Sequence, residues 1–82
     1  MELTVKMTVS KPILSREAAM IAQEMSEFES SVLIRKGDMT VNAKSLIGLI
    51  SLELTRGQAL TILASGPDEQ EAVCKLSQLF GA

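Results

Sequence analysis

The side chains that could do chemistry in this sequence are few, and the most restrictive fact is an absence. None of the 82 residues is histidine. That removes Ser-His and Cys-His nucleophilic pairs, histidine general bases and nearly every zinc arrangement. The chain is therefore expected not to be an enzyme and to hold no metal or cofactor. Ser45 remains as a hydroxyl where a helix should begin. A serine there satisfies an otherwise unpaired backbone N–H, which alone accounts for it. A phosphate on the same oxygen would also sit at the positive end of a helix, adding roughly two negative charges without unfolding anything. Ser15 is a second hydroxyl. Cys74 falls opposite the apolar face of its helix, with no base or metal partner in the pattern, and reads as an incidental thiol. Asp68, Glu69 and Glu71 read as first-turn complements to a helix dipole rather than an acid–base pair.

The totals narrow the field further. A chain of 82 residues is too short for two cores, so residues 1–82 form one domain. It should bury roughly 60% of its unfolded surface. The formal charge is −2, with both signs mixed along the chain, so no electrostatic footprint for nucleic acid exists. Two Phe and no Tyr or Trp leave no base-stacking platform. The lone cysteine fits a reducing compartment. Met1-Glu2 opens an alternation rather than a signal peptide, and no apolar run approaches the ~20 residues of a membrane span. The expectation is a cytoplasmic protein that touches neither membrane nor nucleic acid directly.

The elements that must position Ser45 follow from periodicity. Leu3, Val5, Met7 and Val9 alternate with polar residues, a half-buried strand that Lys11-Pro12 ends. Ala18, Ile21, Ala22, Met25 and Phe28 recur at helical spacing, capped by Ser15 or a neighbour. Residues 31–35 and 39–42 flank Lys36-Gly37-Asp38, a hairpin signal. A short helix follows Ser45. Thr55-Arg56-Gly57 turns the chain into a strand over 59–65, which Gly66-Pro67 stops. Asp68 then opens a capping box with Glu71, and Ala72, Val73, Leu76, Leu79 and Phe80 line one face of the last helix. The order is β-α-β-β-α-β-α. Its economical packing is α+β, one antiparallel four-stranded sheet with three helices on one face.

The helix after Ser45 is too apolar for its length. At ~100° per residue, Leu46, Ile47, Leu49, Ile50 and Leu52 cover roughly 220°, whereas packing on a sheet needs little more than ~100°. Leu46, Leu49 and Leu52 suffice for the core. Ile47 and Ile50 form a second flank, either covered by loops or the first helix, scattered on the surface, or serving as a docking patch.

The whole segment VNAKSLIGLISL, from Val41 to Leu52, closely resembles the regulatory serine region of HPr, the small phosphocarrier of the bacterial sugar phosphotransferase system. Arg56-Gly57 matches as well, as does the run from Ala64 to Ala72, so the resemblance covers nearly the whole chain. It implies the HPr fold. The family's active loop reads roughly Gly-(Leu/Ile)-His-Ala-Arg-Pro-Ala, and here the aligned residues run from Pro12 to Ala18. Arg16 and Ala18 match. Leu14 stands in place of the carrier histidine, Pro12 in place of the glycine and Glu17 in place of the proline. A leucine cannot accept a phosphoryl group.

The resemblance then points to HPr-like proteins of carbon catabolite repression that lack the histidine and keep the serine. It implies phosphorylation of Ser45 by an HPr-type serine kinase/phosphorylase. It further implies corepression of a LacI-type catabolite regulator, with Arg16, Leu46, Ile47 and Ile50 as the docking face. Two alternatives stand beside it. One is an unregulated HPr-fold interaction protein whose Ser45 is only a cap. The other is a divergent phosphocarrier with another acceptor such as Ser15, although a serine phosphoester has far lower transfer potential than a phosphohistidine.

Overall fold

An alternating strand buries its apolar side only if neighbours extend the same face, and the computed structural model, which describes residues 2–81, has them in place. The elements are β1 (Glu2–Thr8), α1 (Ser15–Met25), β2 (Ser31–Lys36), β3 (Met39–Asn42), α2 (Leu46–Ser51), β4 (Ala59–Ser65) and α3 (Glu69–Leu79). They form one sheet in the order β1-β4-β2-β3, with every neighbouring pair antiparallel. The register sets Val5 opposite Ile62, Ile62 opposite Ile34, and Ile34 opposite Val41. One row of β-branched side chains thus crosses all four strands on the covered face. The opposite face carries Lys6, Thr61, Arg35 and Thr40 in a matching row, as a solvated antiparallel face should.

All three helices pack on the apolar face, as expected. Ala18, Ile21, Ala22 and Met25 of α1, Leu49 of α2, and Ala72, Val73 and Leu76 of α3 meet Met7, Val32, Ile34, Leu60, Ile62 and Ala64 in one continuous core. Among the described residues, no helix is long and apolar enough to cross a membrane.

Two local expectations need correction and one is narrowed. α1 ends at Met25, so Phe28 lies beyond the helix, although its ring still packs against the core. The cap of α1, expected at Ser15 or a neighbour, is the neighbour Leu14, and Ser15 is the first helical residue. Leucine has no acceptor, so only half of a capping box forms: Glu17 Oε1 accepts from the Leu14 N–H at 3.1 Å. At α3 the expected box does not form either. Asp68 occupies the cap position, but its carboxylate turns away from the helix. It accepts from the Glu29 N–H at 3.0 Å, the Ser30 N–H at 2.9 Å and the Ser30 hydroxyl. Ser30 Oγ in turn accepts from the Asp68 N–H at 3.1 Å. This reciprocal clamp ties the entry of β2 to the entry of α3 and satisfies a fully buried hydroxyl. Gly66 makes room for it: a Cβ there would lie 2.5 Å from Ser30 Oγ, and its φ of 150° already excludes most side chains.

Candidate functional site

Ser45 is held by a loop in which the N–H groups of residues 43, 44 and 45 all donate hydrogen bonds. The buried Ala43 N–H donates to Val32 O at 2.9 Å, anchoring the loop to β2. Asn42 closes the turn from both ends: its Oδ1 accepts from the Lys44 N–H at 2.8 Å and its carbonyl from the Ser45 N–H at 2.9 Å. Ser45 itself is extended (φ −103, ψ 115). Its Oγ accepts from the Gly48 N–H at 3.1 Å, the expected cap. Gly48 keeps that oxygen approachable, because a Cβ there would stand 3.3 Å from it and 3.0 Å from Val41 Cβ.

Two lysines fix the surroundings, and neither role was read from sequence. Lys44 Nζ donates to Phe28 O at 2.7 Å, so its charge is drawn towards the turn after α1. Lys36 Nζ reaches back from the hairpin to donate to Leu52 O, where α2 ends with unpaired carbonyls. The signal for Lys36 was available: a lysine on the covered side of β2 must carry its ammonium to an edge, and the end of a helix offers acceptors there.

The apolar residues of α2 divide by angle. The buried direction lies midway between Leu49 and Leu52, each 1% exposed. At ~100° per residue, Leu46 is ~90° from that direction, Ile50 ~130° and Ile47 ~170°. Their exposures rise in the same order, 41%, 45% and 78%. Leu46 is therefore no part of the core, contrary to the reading from periodicity, and joins Ile47 and Ile50 on the outer flank. On the neighbouring α1, Leu14 is 65% exposed and Arg16 is also exposed. Met20 of α1 is also half exposed, though periodicity did not mark it. α1 and α2 pack together, and the Ile13 N–H donates to Leu54 O at 3.1 Å. The loop before α1 is thereby laced to the segment after α2.

No imidazole exists here, and Leu14 offers only hydrocarbon at the start of α1. Among the described residues no cluster of potential metal ligands forms, and Cys74 is an exposed free thiol. The arrangement comprises a half-buried hydroxyl at the head of a short helix with an apolar surface beside it.

An open-faced sheet in the order β1-β4-β2-β3 with three helices on one side defines a small class of α+β domains. The chain belongs to the HPr family: the model described as "PTS HPr component phosphorylation site" matches residues 1–82. The HPr-like protein Crh of Bacillus subtilis (strain 168) is 41% identical over 73 residues, covering 89% of this chain and 86% of Crh. The solution structure of Crh, described as the Bacillus subtilis catabolite repression HPr, superposes with a TM-score of 0.76 at 38% identity, covering 98% and 95% of the two chains. The crystal structure of the phosphocarrier protein HPr from Bacillus anthracis str. Ames superposes with a TM-score of 0.90 at 34% identity, covering 95% of each. The chain is thus an HPr- and Crh-like protein related to the phosphotransferase system, similar to carriers and to a regulatory homologue.

Proposed function

We propose that this chain is a non-enzymatic, cytoplasmic regulatory module of carbon catabolite control, switched by phosphorylation of Ser45. The observation that carries the reading is the adjacency of Ser45 Oγ, half-buried at the cap of α2, to the exposed flank of Leu46, Ile47 and Ile50. With Leu14 in the carrier position and no histidine in the chain, phosphohistidine transfer has no acceptor. The likeness to Crh supports the same choice. An HPr-type serine kinase/phosphorylase would move the γ-phosphoryl group of ATP onto Ser45 Oγ, releasing ADP and the hydroxyl proton. The phosphate would then stand beside the first-turn N–H groups and the space left by Gly48. A LacI-type catabolite regulator would read the phosphate with basic side chains and the flank with an apolar pocket, while Arg16 pairs with one of its carboxylates.

Incubation with an HPr kinase and ATP, followed by mass spectrometry, tests this. One phosphate per chain is expected, and it should be lost in Ser45→Ala. No phosphate, or one that persists in that variant, removes the regulated reading. One observation favours a second reading: Ser45 Oγ already accepts from the Gly48 N–H, so the serine has a structural task without modification. In that case the same face binds a fixed partner, and binding is indifferent to ATP and kinase.

A further inference from the structure

The peptide unit that joins Phe28 to Glu29 is held at both ends by opposite charges. Its carbonyl accepts from Lys44 Nζ at 2.7 Å, and its N–H donates to Asp68 Oδ2 at 3.0 Å. One amide thus stands between an ammonium and a carboxylate. A cation at the oxygen withdraws electrons from the nitrogen and makes the N–H a stronger donor. An anion at the N–H makes the oxygen a better acceptor in return. The two bonds therefore strengthen each other, by ~10–30% in chains of this kind. Both charged residues are half-buried, where salt screens them less than at the open surface. The amide also joins two regions with different neighbours. Lys44 directly precedes Ser45 in the cap loop, and its own N–H is tied to Asn42 Oδ1. Asp68 opens α3, where it also holds the Ser30 N–H and hydroxyl. α2 packs on α1 and β3, whereas α3 packs on α1, β1, β2 and β4. The turn over 28–30 is bonded to both regions.

We propose that the Phe28–Glu29 peptide is a relay that couples the Ser45 loop to the entry of α3, so that a phosphate on Ser45 loosens the Asp68 clamp. The phosphate half rests on the reading of Ser45 given above; the relay itself does not. A phosphorylated Ser45 would carry roughly two negative charges on the residue next to Lys44, with Cα atoms ~3.8 Å apart. An ammonium bonds a phosphate more strongly than a neutral carbonyl, so Lys44 turns from Phe28 O to its neighbour. The Glu29 N–H then becomes an ordinary donor, and Asp68 loses part of its hold on the turn. Coupling of this kind is reciprocal, so weakening the clamp at Asp68 frees Lys44 as well.

The test is nuclear magnetic resonance of the full chain, reading amide proton shifts and hydrogen exchange at Glu29 and Ser30. Lys44→Met keeps the stem and removes the donor, whereas Lys44→Arg keeps a cation. In Lys44→Met the Glu29 proton should move upfield and exchange about tenfold faster, the scale of one charge-assisted hydrogen bond. Lys44→Arg should restore both values towards wild type. Urea unfolding of Lys44→Met, Asp68→Asn and the double variant should be non-additive, the double losing less than the product of the single changes in unfolding constant. An unmoved Glu29 proton in Lys44→Met, or additive losses, overturns the relay: each side chain then ties the turn on its own. With Ser45 phosphorylated, the Glu29 and Ser30 signals should move as they do in Lys44→Met. Unmoved signals at full phosphorylation overturn the switch and leave the Ser45 reading standing. A chain that takes no phosphate on Ser45 removes that reading and the switch with it, while the variants still decide the relay.

Discussion

At position 14 the chain offers carbon and hydrogen where its carrier relatives need a nucleophilic nitrogen, and the surroundings have changed with it. Glu17 Oε1 occupies the Leu14 N–H, placing negative charge where an incoming phosphoryl group would need donors. Leu14→His alone is therefore expected to take no acid-labile phosphate from phosphoenolpyruvate and enzyme I. Efficient labelling of that single variant would show that Glu17 and Pro12 do not obstruct the loop. The Asp68 clamp gives a residue-level prediction about acid. Its carboxyl is held below the ordinary value of 3.8 first by the Ser30 hydroxyl and then by the Glu29 and Ser30 N–H groups, against an opposing push from partial burial. A carboxyl whose folded value is depressed favours the folded state above its unfolded value and loses that contribution as pH falls through the folded one. Wild type should lose stability below about pH 3.8 more steeply than Asp68→Asn, in urea midpoints followed from pH 6 to pH 2. Parallel curves would show that the clamp is not linked to that proton. Residue chemistry was only half legible here. Ser45 announced itself as a cap, but an Asp three residues before a Glu at a helix start reads the same whether it caps its own turn or bridges to a distant loop.

On α2 a surface isoleucine and a core leucine sit two positions apart, which makes the helix testable without any partner. Ile47→Asp should shift stability by about 0.5 kcal/mol or less, since the side chain already faces water. Leu49→Ala should cost roughly 2–5 kcal/mol through the cavity it leaves. Thermal melts of the two variants decide this, and equal losses would place Ile47 inside. Ser45→Ala should fall between them, at about 0.5–2 kcal/mol for a lost cap. Element existence was read well because each segment shows its own period. The ends were read less well. Phe28 continued the helical rhythm past Met25 because a turn can deliver a ring to the same core. Leu46 kept the spacing of Leu49 and Leu52, yet those two straddle the buried direction and Leu46 lies ~90° from it, at the edge of the stripe.

Across the whole molecule, strand number and helix placement followed from the pattern, whereas strand order did not, because alternation says which face a strand buries and nothing about its neighbours. The order β1-β4-β2-β3 puts the last strand made, β4, between β1 and β2. A fragment of residues 1–58 should consequently show no cooperative melt by circular dichroism, having lost the strand that both others need. A sharp transition in that fragment would mean that α1 and the β2–β3 hairpin suffice. The same arrangement imposes a schedule on synthesis. Of the four strands, β1 leaves the ribosome before the others with Leu3, Val5 and Met7 ready for burial, then waits until residue 59 and beyond before β4, its one neighbour among the described residues, exists. Closure of so long a loop is slow compared with local helix formation. During that interval a finished β4 on another copy would fit the waiting strand as well as its own.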